Sequence, residues 1–355
     1  MKKLFSIVLA LLMVLSLVAC GQTQQAPAET PAETPAETPA EAPAETPVEK
    51  PSYTIVANST GNPGTAEPTA LETFKAEIEA ATDGRITVEV YTGGTLFASD
   101  AEMGALASGE LGMCLTSFDW FAEAGSPWAS MYNCPYMFTS YEDAYSFMTS
   151  DAGQAAFDKI YDEVGVKVLA PAYIGTRQLI MRDAVEVKTT ADLSGVLLRV
   201  PTTASYVAMA EAMGAVATPM ALDEVYLALS TGTIDAIEVP MSVMKSRAFY
   251  EVCETLVLTN HLVNLKTIVM NGDLWNSFDA EDQALILDAA AKAGLACDNF
   301  VLNDEATLLS FFEEQGMTVV NPDLDEFQST VLAGILANEE ISGSWDMDLY
   351  NSIVG

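Results

Sequence analysis

From Asp279 to Gln315 the chain runs without a proline or a cluster of turn residues, and Gly316 closes the run. Gly294 and Asn303-Asp304 are its only weak points, so the pattern predicts one long helix, or two joined end to end. An element of that length has to span more than one lobe of an ordinary fold. Half of the chain's residues are apolar, and the roughly 300 residues after the N-terminal region can bury a large core, which chains of this size usually divide between two lobes.

The stretches before the long helix alternate. Tyr53 to Ala57 reads as a strand, Ala70 to Ala81 as a helix with Leu71, Phe74 and Ile78 on one face, and Ile86, Val88 and Val90 as the alternating face of a second strand. Asp83-Gly84 supplies the left-handed stop between them. Strand, helix and strand in that order make a parallel unit. A helix around Ser99 to Ala107, a strand at Met113 to Thr116, a helix opened by Ser140 and a strand at Val166 to Pro171 follow. The second lobe is then built from strands at Leu197 to Val200 and Thr233 to Glu238 and helices at Thr202 to Ala212 and Leu222 to Leu229. Thr255 to Leu258 and Thr267 to Asn271 read as strands that return the chain to the first lobe. Two crossings imply a hinge and a cleft. The expected architecture is α/β and two-lobed, with residues 52–174 and 264–303 in the first lobe and 175–263 and 304–355 in the second.

At the N-terminus, Lys2-Lys3 precede an apolar run from Leu4 to Val18 that ends in Ala19-Cys20-Gly21. The run is too short for a membrane span, which takes about 20 apolar residues, and reads as a secretory signal. Cys20 at the cleavage point is similar to a bacterial lipoprotein box, which makes it the lipidated first residue of the mature protein; a plain cut after Ala19 is the alternative. Residues 21–51 collapse to Pro, Ala, Glu and Thr, with Glu-Thr-Pro-Ala repeated. No core can form there, so the segment reads as a stiffened, self-repelling tether.

The formal charge is -35, with 15 Lys plus Arg. That excludes nucleic acid as a partner and disfavours an anionic membrane surface except through an anchor. It also means that any site for an anion must carry its own local positive charge. Cys114, Cys134, Cys253 and Cys297 match no zinc spacing and sit in apolar contexts typical of free thiols, although export would permit a Cys114 to Cys134 disulfide. His261 is the only histidine, and no Gly-x-Ser-x-Gly turn, metal cluster or phosphate-cradling glycine loop occurs. An enzyme therefore lacks candidate residues, and no cofactor or metal is expected.

Scarce positive charge gathers between Gly175 and Pro240, where Arg177, Arg182 and Arg199 stand close in sequence. Arg199 ends the short apolar run Leu197-Leu198 just before Val200-Pro201, a position that offers a planar cationic fork at a sheet edge. The same stretch contains Pro219-Met220-Ala221, Glu224-Val225-Tyr226, Ala228-Leu229, Thr231-Gly232 and Asp235-Ala236-Ile237-Glu238-Val239-Pro240. This order of motifs resembles the substrate-binding proteins of TRAP transporters, the DctP-type family. Thr82 to Gly94, Phe249-Tyr250-Glu251-Val252 and Leu258-Thr259-Asn260-His261 also resemble it, so the likeness covers roughly Tyr53 to Pro322. The last turn departs from the pattern, with Ala236 for Gly and Val239 for Asn.

The resemblance implies a long connecting helix and an extracytoplasmic receptor that closes over a small organic acid and passes it to a membrane permease. It places Arg199 on the ligand carboxylate, Glu238 and His261 as a supporting shell around it, and Arg177 as a second contacting arginine at the lobe crossover. A structural Arg199 to Glu238 brace, and a solvated Arg177, are the plainer alternatives. Thr202 and Leu222 match pocket positions, Ser117 stands where some relatives carry an acid, and Val239 removes an amide. From the residues themselves, the loop after the first strand offers Asn58 and Thr60, Lys266 is a candidate replacement cation, and Arg182 reads as solvating a strand end. A monomer anchored to the membrane by lipid is expected. A receptor presenting ligand to a sensor kinase, or a secreted lipoprotein enzyme, are the alternative functions.

Overall fold

The computed structural model describes residues 50–354. The signal segment, Cys20 and the tether up to residue 49 lie outside the described residues. In order, the chain forms β1 (Tyr53–Asn58), α1 (Ala66–Ala81), β2 (Ile86–Tyr91), α2 (Glu102–Ser108), β3 (Met113–Thr116), α3 (Phe118–Glu123), α4 (Tyr141–Met148), α5 (Asp151–Val164) and β4 (Val166–Met181). It continues through β5 (Leu197–Val200), α6 (Ala204–Ala212), β6 (Val216–Pro219), α7 (Val225–Thr231), β7 (Ala236–Pro240), α8 (Met241–Ser246) and β8 (Thr255–Asn271). The last elements are α9 (Gly272–Ser277), α10 (Ala280–Glu314), β9 (Thr318–Val320), α11 (Leu324–Ala337), α12 (Glu339–Ser342) and α13 (Met347–Val354).

The strands form one sheet in the order β2-β1-β3-β8-β4-β7-β5-β6, with β9 also on β8. The parallel β1-β2 pair confirms the expected strand-helix-strand unit, and β5 runs parallel to both β6 and β7. Both halves of the sheet are joined by β4 and β8, 16 and 17 residues long and antiparallel. β8 takes β3 as its outer neighbour near its C-terminal end, and β4 takes β7 near its own. The short strands expected at Val166 to Pro171, Thr255 to Leu258 and Thr267 to Asn271 are thus ends of two strands that run the length of the molecule.

Their pairing slips between Val168 and Ala170, Tyr173 and Gly175, and Arg177 and Leu179, so the crossings bend without losing the ladder. Gly175 takes φ +115° at the middle slip, and a Cβ there would stand 3.0 Å from Pro240. Only glycine satisfies both demands.

Asp279 caps α10 by accepting from the backbone N–H groups of Glu281 and Asp282. The helix then runs unbroken for 35 residues, through both suspected weak points. Gly294 is no breaker: a Cβ there would lie 2.4 Å from the Pro171 carbonyl oxygen, so the glycine lets α10 lie against β4. Ile286, Ala290, Ala293, Cys297 and Val301 of α10 pack into the larger core, and Leu308 and Phe312 into a second one with Ile180, Val225, Ile237 and Leu256. One helix is therefore shared by two cores.

Cys114, Cys134, Cys253 and Cys297 are all buried and free, so the Cys114 to Cys134 disulfide does not form. Among the described residues, no helix is long and apolar enough to cross a membrane, and no cluster of His, Cys, Asp and Glu has metal-ligating geometry.

Candidate ligand-binding cleft

The carboxyl ends of β1, β3, β5 and β7 converge on the bent middles of β4 and β8, the place where open α/β sheets hold ligands. Arg177 of β4 lies diagonally across from Glu238 of β7, because Leu179 is the direct partner of Glu238 and the same face recurs at the second residue. Nη2 of Arg177 donates to Glu238 Oε1 at 2.6 Å and to its main-chain oxygen at 2.7 Å, while Nε reaches Oε2. The guanidinium also lies 4.8 Å from the centre of the Tyr206 ring. Behind the pair, His261 Nε2 stands 3.4 Å from Glu238 Oε2 and Nδ1 2.8 Å from the Thr259 hydroxyl. A carboxylate only accepts, so Nε2 carries the proton. Burial pushes the imidazole pKa down and keeps His261 neutral near pH 7, against the pull of Glu238. Burial works to raise the Glu238 carboxyl, but Arg177 and His261 outweigh it and hold it below the usual range.

Arg199 has a different environment. Its Nε and Nη2 donate to the Met220 carbonyl oxygen at 3.1 and 2.7 Å, and Nη1 has no hydrogen-bond partner among the described residues. The residue is only 3% exposed. Burial, helped by neighbouring Arg177, pushes its pKa down to about 10, with Glu238 opposing. It remains charged at neutral pH, and no carboxylate of the described residues approaches it closely enough to form an ion pair. An uncompensated buried cation costs several kcal/mol and has much to gain from an anion.

Two adjoining cavities follow from this arrangement. The inner one, of about 100 Å³, is bordered by Arg177, Arg199, Tyr206, Ser117, Val239, Asn264 and Lys266. The outer one, of about 390 Å³, is walled by the β1-α1 loop, α8 and α10. Thr60, Glu67, Ile174, Leu222 and Val243 border both. The walls are bridged by Thr203 Oγ1 donating to Asp119 at 2.9 Å, Arg247 Nη2 to the Thr60 carbonyl at 2.7 Å and Asn62 Nδ2 to the Ser246 carbonyl at 3.0 Å. The larger cavity is the less charged in effect, since its Lys245 and Arg247 are paired with Asp304 and Asp223.

Of the positions singled out in the sequence, Thr60, Ser117, Arg177, Arg199, Leu222, Val239 and Lys266 border the inner cavity. Asn58 does not: fully buried, it donates to Glu102 Oε1 at 2.6 Å and to the Phe97 carbonyl at 3.0 Å. Thr202 is exposed, and the inward position belongs to Thr203. Glu238 and His261 brace Arg177 rather than Arg199, because β7 pairs with β4 in a register that brings Glu238 across from Arg177, whereas Arg199 lies beside Ile237. Arg177 is accordingly buried, not solvated. Arg182 donates to Asp183 at a partly exposed strand end, as its surroundings suggested.

Asp119, Tyr206, Glu67 and Asn264 were not foreseen. Asn264 and Lys266 recur on one face of β8, a signal readable only once the strand is known to continue through them. Lys266 Nζ donates to Glu67 Oε1 at 2.6 Å, and Glu67 Oε2 accepts from Ser59 at 3.1 Å. Burial alone would lower the lysine pKa; Glu67 and Glu102 outweigh it and raise it. Burial also pushes Glu102 up to about 8.

Comparison with known proteins fits this geometry. The DctP family, described as bacterial extracellular solute-binding protein, family 7, matches residues 57–335. The sialic acid-binding periplasmic protein SiaP of Vibrio cholerae is 29% identical over 272 residues, 76% of this chain and 83% of that protein. A TRAP periplasmic solute-binding protein of Roseobacter denitrificans, solved with bound 3-deoxy-D-manno-oct-2-ulosonic acid, superposes with TM-score 0.81 and 31% identity, covering 85% of this chain and 99% of that one. Another from the same organism, with bound L-galactonate, gives TM-score 0.80 and 27% identity over 86% of this chain and all of that one. These relatives are solute-binding proteins. With its two-lobed α/β fold, its cleft and a family match over most of its length, the chain belongs to the bacterial extracellular solute-binding proteins of family 7, the solute receptors of TRAP transporters.

Proposed function

We propose that this receptor binds a small organic acid with the carboxylate on Arg199 and delivers it to the membrane permease of a TRAP-type transporter. One observation carries the reading. Among the described residues, Arg199 is the only lysine or arginine bordering the two cavities that lacks a carboxylate partner: Arg177 has Glu238, Lys245 has Asp304, Arg247 has Asp223 and Lys266 has Glu67. Arg177, held by Glu238, keeps the two N–H groups of Nη1 for the ligand, and Thr60, Ser117, Leu222 and Val239 shape the walls. The lobes are residues 52–174 with 264–303, and 175–263 with 304–355, hinged where β4, β8 and α10 pass between them. Ligand shifts the population toward the closed form, which the permease distinguishes from the open one. The receptor acts as a monomer held to the membrane by lipid on Cys20, and it returns its ligand chemically unaltered.

A thermal-shift screen of organic acids tests the reading. At 100 times its dissociation constant a ligand adds about 2.7 kcal/mol, which at roughly 0.6 kcal/mol per degree for about 300 residues raises Tm by about 4 °C. Amines and neutral sugars should give no shift. A neutral compound that outperforms every acid would overturn the proposal.

A further inference from the structure

We propose that Asn264, Lys266 and Glu67 form a second recognition element that reads hydroxyl groups, so that the cleft selects a hydroxylated monocarboxylate over a dicarboxylate. This rests on the reading of Arg199 above. Asn264 and Lys266 occupy alternate positions of β8 and so face the same inner cavity. Asn264 is 4% exposed, yet its side-chain amide makes no hydrogen bond to the described residues. Lys266 spends one of its three N–H donors on Glu67. Glu67, accepting from Lys266 and Ser59, keeps lone pairs to spare. Buried polar groups left unmatched are costly, and these three offer both donors and acceptors side by side. A hydroxyl group, which donates and accepts, satisfies such a mixed surface; a carboxylate, which only accepts, does not.

Charge points the same way. With every other cation of the cleft already paired to a carboxylate among the described residues, Arg199 is the one position left for a ligand carboxylate. A second would meet Lys266 only in the company of Glu67 and would face Asp119, whose carboxylate borders the same cavity while accepting from Asn133 and Thr203. A buried negative charge without a partner is disfavoured. The small inner cavity leads past Thr60 and Glu67 into the outer one, which leaves room for a hydroxylated chain extending from the bound carboxylate.

The test uses the full extracytoplasmic receptor and four kinds of six-carbon probe: aldonates, the corresponding aldarates, hexanoate and adipate. Calorimetric titration should find an aldonate tightest, with its aldarate and hexanoate each at least about tenfold weaker. Glu67→Gln, which removes the opposing charge, should narrow the aldarate to aldonate ratio by about tenfold, and Asn264→Leu should weaken the aldonate while leaving hexanoate unchanged. Circular dichroism melts establish that both variants fold. An aldarate or adipate that matches the aldonates, or a ratio unmoved by Glu67→Gln, would overturn this inference while leaving the Arg199 reading standing. Failure of all four probe classes to bind would overturn both.

Discussion

Replacing Glu238 by glutamine removes the negative half of an ion pair that is almost wholly withdrawn from water, with side chains 8% exposed for Arg177 and fully buried for Glu238. Screening by solvent is absent there, so the guanidinium would be left with an amide that cannot balance it. Breaking a buried pair by removing one partner costs about 3–5 kcal/mol. With an unfolding entropy near 2.1 cal/mol/K per residue over about 300 residues, each kcal/mol is worth roughly 1.6 °C, and the melting temperature should fall by about 5–8 °C. The Nε2 proton of His261, which points at Glu238, exchanges a charged acceptor for the weaker amide oxygen in the same step. Thermal melts of the ligand-free protein followed by circular dichroism measure this directly. Removing both charges, as Arg177→Met with Glu238→Leu, should recover most of the loss, because apolar replacements of a buried pair are often neutral. A Glu238→Gln protein melting within about 1 °C of the parent would refute the argument that Arg177 depends on this carboxylate.

Other expectations follow from the same geometry. Burial holds Glu102 near 8, above the ordinary glutamate value, so the folded state keeps a proton that the unfolded state has lost; stability from this group is present in acid and is lost as pH rises toward 8. Glu102→Gln should flatten the pH dependence between about 5 and 8 and gain a few kcal/mol at the alkaline end, at about 1.4 per pH unit, as read by chemical denaturation at several pH values. Cys20→Ser should release the protein from the membrane or leave it as precursor, and unchanged detergent-phase partitioning would count against the anchor. Val239→Asn, which adds an amide at a position bordering the inner cavity, should change the rank order of acids in the thermal-shift screen, whereas an unchanged order would show that this wall does not take part in selection.

Much of the architecture was legible in the chain because it depends on local signals. The parallel β1-α1-β2 unit, the uninterrupted α10 and the glycine-terminated α7 each follow from periodicity and stop residues within a few turns. The length of β4 and β8 was not legible. Their middles carry Gly175, Asn260, His261 and Asn264, which read locally as breaks, and only pairing with a neighbouring strand shows that the chain bends there and continues. α1 likewise begins at Ala66, before the expected start at Ala70, with Pro68 tolerated in its first turn.

For the cleft, sequence identified positions better than partners. Arg177 and Arg199 both border the inner cavity, but which of them Glu238 holds depends on the register of β7 against β4, a long-range choice with no local signature. Thr202 and Thr203 differ by one residue, and in an extended segment one residue decides between outside and inside. Asn58 is polar and adjacent to the cleft, yet the buried Glu102, some forty residues later in sequence, claims its amide.

The claim on which the account turns is that Arg199 holds the ligand carboxylate. Calorimetric titration of Arg199→Lys with the acid giving the largest thermal shift measures it most directly, because lysine keeps the charge and loses the planar fork. Charge-assisted hydrogen bonds are worth about 1.5–3 kcal/mol each, so losing one should weaken binding by about tenfold to a hundredfold while the ligand-free melt stays close to that of the parent. Affinity equal to the parent's would contradict the account and would place the carboxylate on Arg177 or elsewhere in the cleft.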